Sequence, residues 1–135
     1  MRVQDAMTPV TATVGPDHTL QQAAQRMVRS HTGAAVVMDG MLQGPAMITE
    51  RDLLRAVASG RDPASERVED HMTQALVTAA PAWPIEQAAH TMVKHGVRHI
   101  LVFEGPELVG VLSMRDVVTT GGIAPLAEAV AAIES

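Results

Sequence analysis

The chain repeats itself at a spacing of 65 residues, and this internal repeat constrains its fold more than any other feature of the sequence. The segment VQDAMT at residues 3–8 returns as VEDHMT at residues 68–73. A pattern of apolar residues at helical spacing returns in the same way. The sequence TERD at residues 49–52 returns as SMRD at residues 113–116, at a spacing of 64, because the first copy has one extra residue before it. Each copy is too small to bury a stable core by itself, so the two copies are expected to share one.

Each copy contains the signals for the same elements in the same order: a short extended lead-in, a helix, two strands and a second helix. Apolar positions three and four residues apart predict the first helix of each copy. Short apolar runs on either side of an Asp-Gly or Glu-Gly turn predict a hairpin. The predicted bounds are residues 20–30, 34–38, 46–48 and 51–59 in the first copy, and 84–95, 100–103, 108–112 and 115–119 in the second.

This order of elements predicts an α/β (α+β) fold in which each repeat forms a small three-stranded sheet packed with two helices. A sheet of this size leaves an apolar face uncovered unless another copy packs on it, so a pseudo-two-fold arrangement is expected. The expected boundaries are residues 1–60 for the first repeat, 61–67 for a polar linker, 68–120 for the second repeat and 121–135 for a C-terminal helical tail.

Two hexapeptides, ITERDL at residues 48–53 and LSMRDV at residues 112–117, stand in register with DAMT at residues 5–8 and DHMT at residues 70–73. Together they resemble the CBS domain pair, also called a Bateman module, over roughly residues 1 to 120. The resemblance implies a stand-alone regulatory module that binds AMP, ADP, ATP or an S-adenosylmethionine-like compound in the cleft between its repeats. It also implies a homodimer and an effector protein in trans.

A Thr-x-x-Asp pattern directly after a strand predicts a capping box, in which a hydroxyl occupies the N-cap and a carboxylate the third helical position. Thr49 with Asp52, and Ser113 with Asp116, form this pattern in the two repeats. The functional interpretation is that each carboxylate also accepts hydrogen bonds from two vicinal ribose hydroxyls. Both interpretations can hold together, and free N–H groups at the same helix starts favour a phosphate nearby.

Arg98 and His99 begin the strand before the second motif, where the resemblance places basic residues against ligand phosphates. The alternative interpretation is a solvated surface arginine and a polar strand end. The first repeat has Gly33 and Ala34 at the matching positions, which predicts two clefts of unequal affinity. By resemblance, adenine is expected near four residues of the lead-ins, Val10, Thr11, Leu76 and Val77.

Composition argues against several other function classes. A net charge of -5 with 10 Lys+Arg gives no basic surface for nucleic acid, and one Trp and one Phe give no platform for stacking bases. The chain has no Cys, and its 6 His lack the spacing of metal ligands. Nucleophile motifs and Gly-rich phosphate loops are not found either. We therefore expect no enzyme activity, no required cofactor, no metal site and no direct nucleic-acid partner.

The first ten residues, MRVQDAMTPV, lack the apolar stretch of a signal peptide, and no window has the roughly 18 apolar residues of a membrane span. A cytoplasmic protein with no membrane partner is expected. Two function classes remain open at this point. One is the ligand-sensing module, and the other is an interaction domain that keeps the fold for dimerisation without a ligand, which Gly33 and Ala34 favour.

Overall fold

The computed structural model describes residues 1–39, 44–75, 77–121 and 124–134. It confirms the mixed α/β fold class, with bounds that differ from the predicted ones by one or two residues at element ends. The helices and strands, in chain order, are α1 (Val3–Ala6), β1 (Thr13–Val14), α2 (Leu20–Ser30), β2 (Ala34–Val37), β3 (Ala46–Thr49), α3 (Glu50–Ala58), β4 (Thr73–Gln74), β5 (Thr78–Ala79), α4 (Ile85–His95), β6 (His99–Glu104), β7 (Glu107–Ser113), α5 (Met114–Gly121) and α6 (Ala124–Glu134).

The described chain packs as two compact units whose composition differs from that of the sequence repeats. The N-unit comprises Val10–Ala75, and the C-unit comprises Met1–Pro9 together with Leu76–Ser135. The first part of the first lead-in, residues 1–9, therefore belongs to the C-unit, and the first part of the second lead-in, residues 68–75, belongs to the N-unit. The predicted boundaries follow the repeats in sequence, whereas the compact units follow packing.

The N-unit contains a four-stranded sheet with the order β1-β2-β3-β4. Strand β1 runs parallel to β2, while β3 is antiparallel to both β2 and β4. The fourth strand was not predicted, because it comes from the lead-in of the second repeat. It pairs with the edge of β3, where the N–H of Ala75 also donates to the carbonyl of Pro45 at 2.9 Å. The added strand satisfies backbone groups that would otherwise leave an open sheet edge.

The C-unit contains a three-stranded sheet with the order β5-β6-β7, as predicted. The lead-in of the first repeat lies against β7, where Thr8 and Val111 exchange two backbone hydrogen bonds of 2.9 Å. This close approach explains Gly110, since an added Cβ there would lie 2.9 Å from the Thr8 carbonyl oxygen. The hairpin turn predicted in the first repeat extends into residues 40–43, which lie outside the described residues.

Both lead-ins were predicted to be extended, and this prediction is wrong in part. Helix α1 interrupts the first, and a 3-10 turn at Val68–Asp70 interrupts the second. Each turn begins with a fully buried valine, Val3 in the core of the C-unit and Val68 in that of the N-unit. A helical turn brings that side chain inward while the Asp5 carboxylate accepts the Arg2 N–H at 2.8 Å. Burial of the valine thus decides a conformation that local pattern does not reveal.

The predicted C-terminal helix is present as α6 and belongs to the C-unit. It packs on α4 and α5, and its Ala129 joins the buried cluster of that unit. The rest of this cluster consists of residues from the lead-in, helices α4 and α5 and the β5-β6-β7 sheet, namely Val3, Ala6, Ala79, Ile85, Ala88, Ala89, Met92, Ile100, Val102, Leu112 and Val117. The N-unit core is built in the same way from α2, α3, its sheet and Val68.

We expect Val3→Ala to lower the free energy of unfolding by about 2 kcal/mol, because it removes buried methyl groups and leaves a cavity. Val3 is 0% exposed, whereas Val28 on α2 is 74% exposed. The matched control Val28→Ala should change stability by less than about 0.5 kcal/mol. Urea denaturation followed by circular dichroism measures both values. Equal stability of Val3→Ala and the unmodified chain would contradict the burial of this lead-in.

The first helices of the two repeats end in the same left-handed conformation but with different residues. Gly96 follows α4 with φ 65, and His31, at the equivalent position, follows α2 with φ 52. A side chain makes this conformation costly, so His31→Gly should stabilise the protein by about 1 kcal/mol. Gly96→His should destabilise it by a similar amount. A lower denaturation midpoint for His31→Gly would show that the histidine side chain makes a compensating contact.

Candidate functional site

Both Thr/Ser-x-x-Asp motifs form the predicted capping boxes. Where β3 ends, Thr49 N–H donates to Asp52 Oδ2 at 2.8 Å, and Asp52 N–H donates to Thr49 Oγ1 at 3.3 Å. Where β7 ends, Ser113 N–H donates to Asp116 Oδ2 and Asp116 N–H donates to Ser113 Oγ, both at 2.9 Å. These reciprocal bonds satisfy backbone donors that a helix start would otherwise leave unpaired.

The capping role uses only part of each carboxylate. In both units the capping bonds reach Oδ2, and among residues 1–39, 44–75, 77–121 and 124–134 no hydrogen bond to Oδ1 of Asp52 or Asp116 is found. Both aspartates are half-buried, so each side chain still meets solvent. A carboxylate has about four acceptor positions, so it can cap a helix and accept further hydrogen bonds. The structural and functional interpretations of the motif are therefore compatible.

Strand pairing brings the predicted site residues of the N-unit to one edge of its sheet. Because β1 is parallel to β2 and β2 is antiparallel to β3, the N-terminal ends of β1 and β2 and the C-terminal end of β3 point to the same edge of the sheet. Ala34 pairs directly with Thr49. Thr11 stands just before β1, exposed, with its carbonyl accepting the Ser30 hydroxyl at 3.0 Å, and the neighbouring Val10 is half-buried.

The C-unit arranges its own predicted residues in the same way. His99 pairs with Ser113, so the start of β6 lies beside the motif. Val77 directly precedes β5, which is parallel to β6, and it packs against the buried cluster of this unit. Arg98 is exposed and His99 is half-buried. Leu76, the remaining predicted residue, lies outside the described residues.

The backbone on either side of this edge is built identically in the two units. The N–H of Met114 donates to the carbonyl of Arg98 at 2.8 Å, and the N–H of Glu50 donates to the carbonyl of Gly33 at 2.9 Å. Gly33 and Arg98 therefore occupy equivalent places, as the repeat predicts. The units differ here in side chains and not in backbone.

Glu50 is a residue of this edge that sequence reasoning missed. A Cβ added to Gly33 would lie 2.9 Å from Glu50 Oε1 and 3.0 Å from its Cδ, so the carboxylate lies over the glycine. The signal that could have found it is the repeat itself, because the counterpart of Glu50 in the second motif is the uncharged Met114. The two edges thus differ in charge at two positions.

Within the described part of the chain, no group of three or more His, Cys, Asp or Glu side chains is arranged to hold a metal ion. Likewise, none of the helices over those residues combines the length and apolar character needed to cross a membrane.

Comparison with known proteins gives one consistent result. The family model for the CBS domain matches residues 3–59 and again residues 68–121. The chain is 38% identical over 116 residues to the CBS domain-containing protein YhcV of Bacillus subtilis, which covers 84% of this chain and 81% of YhcV.

Solved structures agree with this match. A CBS domain protein of Pyrobaculum aerophilum complexed with AMP is 28% identical, with a TM-score of 0.80, over 95% of this chain and 99% of that one. A CBS-domain containing protein of Agrobacterium tumefaciens is 32% identical, with a TM-score of 0.79, over 90% of this chain and 99% of that one.

The capping box of the C-unit can be tested by stability alone. Ser113→Ala should lower the free energy of unfolding by about 1 kcal/mol, because the Asp116 N–H loses its acceptor. Ser113→Thr keeps a hydroxyl and should remain close to the unmodified chain. Guanidinium denaturation measures both variants. If the alanine and threonine variants were equally stable, the serine hydroxyl would not cap α5 in solution.

Proposed function

Because the chain belongs to the CBS domain family, whose model it matches twice, we propose that it is a non-catalytic regulatory module that binds an adenosine-containing ligand. One observation carries the proposal. In each unit a half-buried aspartate uses one carboxylate oxygen to cap a helix and keeps the other clear of described hydrogen bonds, at the sheet edge where its motif pairs with Ala34 in the N-unit and with His99 in the C-unit.

The ribose is the part of the ligand that this aspartate suits. Vicinal hydroxyls present two donors a short distance apart, and an ionised carboxylate accepts both. Asp116 in the C-unit and Asp52 in the N-unit are held in place by the capping bonds before any ligand arrives. Such preorganisation reduces the entropy lost on binding. Thr49 and Ser113 act in this proposal as positioning residues.

The phosphate and the base are assigned to neighbouring residues. Arg98, exposed at the start of β6, has a guanidinium suited to bidentate contact with a phosphate, and His99 follows it. Adenine would lie against backbone and apolar side chains of the segments before β1 and β5. These include Val10, Thr11 and Val77, with Leu76 outside the described residues. The AMP complex of the Pyrobaculum aerophilum protein supports this class of ligand.

Regulation requires more than binding. A ligand shifts a conformational equilibrium only by the difference between its affinities for the two states. We propose that this chain passes such a shift on through a homodimer or to an effector protein in trans. AMP, ADP, ATP and an S-adenosylmethionine-like compound all carry the adenosine that the site would recognise.

A second candidate function is an interaction domain that keeps the fold without a ligand. The N-unit favours it, because Gly33 and Ala34 replace the basic pair and Glu50 adds a negative charge. A thermal-shift screen with AMP, ADP, ATP, S-adenosylmethionine and NAD at millimolar concentration separates the two. A ligand at about 100 times its Kd stabilises the native state by about 2.7 kcal/mol. Absence of a shift with every compound favours the interaction domain.

Two substitutions in the C-unit test the assigned roles by titration calorimetry. Asp116→Ala should weaken AMP and adenosine alike by at least about tenfold, since both carry the ribose. Arg98→Ala should weaken AMP by about tenfold and leave adenosine nearly unchanged, because only AMP has the phosphate. Arg29→Ala, an exposed arginine at the end of α2, is the control and should change neither affinity. Equal losses of AMP and adenosine in Arg98→Ala would refute the phosphate role.

A further inference from the structure

Glu50 of the N-unit lies at the place where the C-unit has the cationic side chain of Arg98. The contacts Glu50 N–H to Gly33 carbonyl and Met114 N–H to Arg98 carbonyl, at 2.9 and 2.8 Å, show that the two places are equivalent within their units. At this place the C-unit has an arginine beside an uncharged methionine. The N-unit has a glycine beside a glutamate. The charge on the two edges is therefore opposite.

The Glu50 carboxylate lies at the place where the side chain of a basic residue would begin. Glu50 Oε1 lies 2.9 Å from where a Cβ of residue 33 would stand. An arginine at position 33 would extend from that Cβ, so the carboxylate occupies the space in which its side chain would begin. A phosphate that found a guanidinium in the C-unit would find a carboxylate in the N-unit.

Of the neighbouring cations, Arg51 and Arg115 leave the difference unchanged, whereas Arg26, which donates to the Thr13 carbonyl at 2.6 Å, has the uncharged Thr91 as its counterpart. Arg51 and Arg115 occupy equivalent positions in the two motifs, so they add the same charge to both units. The ion pairs found among the described residues, between Arg61, Arg67 or His71 and their glutamates, do not involve Glu50. Glu50 is exposed, so its field is partly screened by solvent and salt.

We propose that the N-unit prefers adenosine compounds whose 5′ group is cationic or uncharged and disfavours those with a 5′-phosphate, with Glu50 as the residue that sets this preference. The inference rests on the proposed adenosine-binding function. The C-unit, with Arg98, keeps the opposite preference for the 5′-phosphate. One chain would then respond to two chemical classes of adenosine compound through two sites of opposite charge.

The test uses the full chain and NMR, with the backbone amide signals of Gly33 and Arg98 as reporters for the N-unit and the C-unit. The probes are AMP, adenosine and 5′-amino-5′-deoxyadenosine, which carry a negative, neutral and positive group at the same position. Gly33 should report the tightest binding for the amino compound and the weakest for AMP, about tenfold apart. Arg98 should report the reverse order.

Substitutions then assign the preference to one carboxylate. Glu50→Gln should strengthen AMP binding at the N-unit by about tenfold and leave the C-unit unchanged. Met114→Glu should weaken AMP at the C-unit by a similar factor. Glu69→Gln removes the same charge from the same unit, but the Glu69 backbone N–H donates to the Pro16 carbonyl, beyond the far end of β1, and the Glu69 carboxylate lies 3.8 Å from Arg67. This control should leave all affinities unchanged.

The outcomes separate the two levels of the proposal. If the probes bind but Glu50→Gln leaves the order at Gly33 unchanged, or Glu69→Gln alters it equally, the inference is overturned and the adenosine-binding function stands. If no probe shifts either reporter, both are overturned. Raising NaCl to 1 M in the unmodified chain is an independent check, because screening should reduce the preference if charge causes it. An unchanged preference at 1 M would also overturn the inference.

Discussion

The fold depends on two buried valines, one from each repeat. Each valine is buried in the unit that consists mainly of the other repeat. Val3 comes from the first lead-in and completes the core of the C-unit, while Val68 comes from the second lead-in and completes that of the N-unit. Small domains have little apolar surface to spare, so neither unit has an obvious replacement for its valine. The two repeats were expected to share one core, but each unit has its own buried cluster, and the repeat seen in sequence does not coincide with the compact unit.

This exchange also marks the limit of what could be predicted from the sequence. Helices α2 and α4 and the central strands follow from apolar spacing and turn residues, which are local signals. The lead-ins carry no such pattern, and their conformation is decided by partners far along the chain, such as the Val3 N–H that donates to the Trp83 carbonyl at 2.9 Å. A fourth strand in the N-unit escaped prediction for the same reason. The extended conformation expected of the lead-ins is kept at Thr73–Gln74 and is replaced by a helical turn at Val3–Ala6 and at Val68–Asp70.

Some residues of the candidate site could be predicted from local sequence pattern, and others could not. Thr49, Asp52, Ser113 and Asp116 could be identified as capping boxes because the motif acts over three residues of one turn. For Glu50, the repeat shows only that its counterpart is the uncharged Met114, and it does not show that the Glu50 carboxylate lies over Gly33, just before β2. The charge of a site depends on which side chains are neighbours in the folded protein. The sequence lists the charged residues but does not show which of them lie together.

The capping boxes tie stability and recognition to the same atoms. Asp52 and Asp116 each hold the start of a helix through one oxygen, while the other is proposed to hold a ribose. A substitution of either aspartate removes both at once. In a living cell, a marginally weakened fold is degraded faster, so such a variant would lower protein abundance as well as response. Substitutions at these two positions would therefore lower protein abundance and ligand response together, and a sensing defect free of any abundance change would have to come from residues outside the caps, such as Arg98.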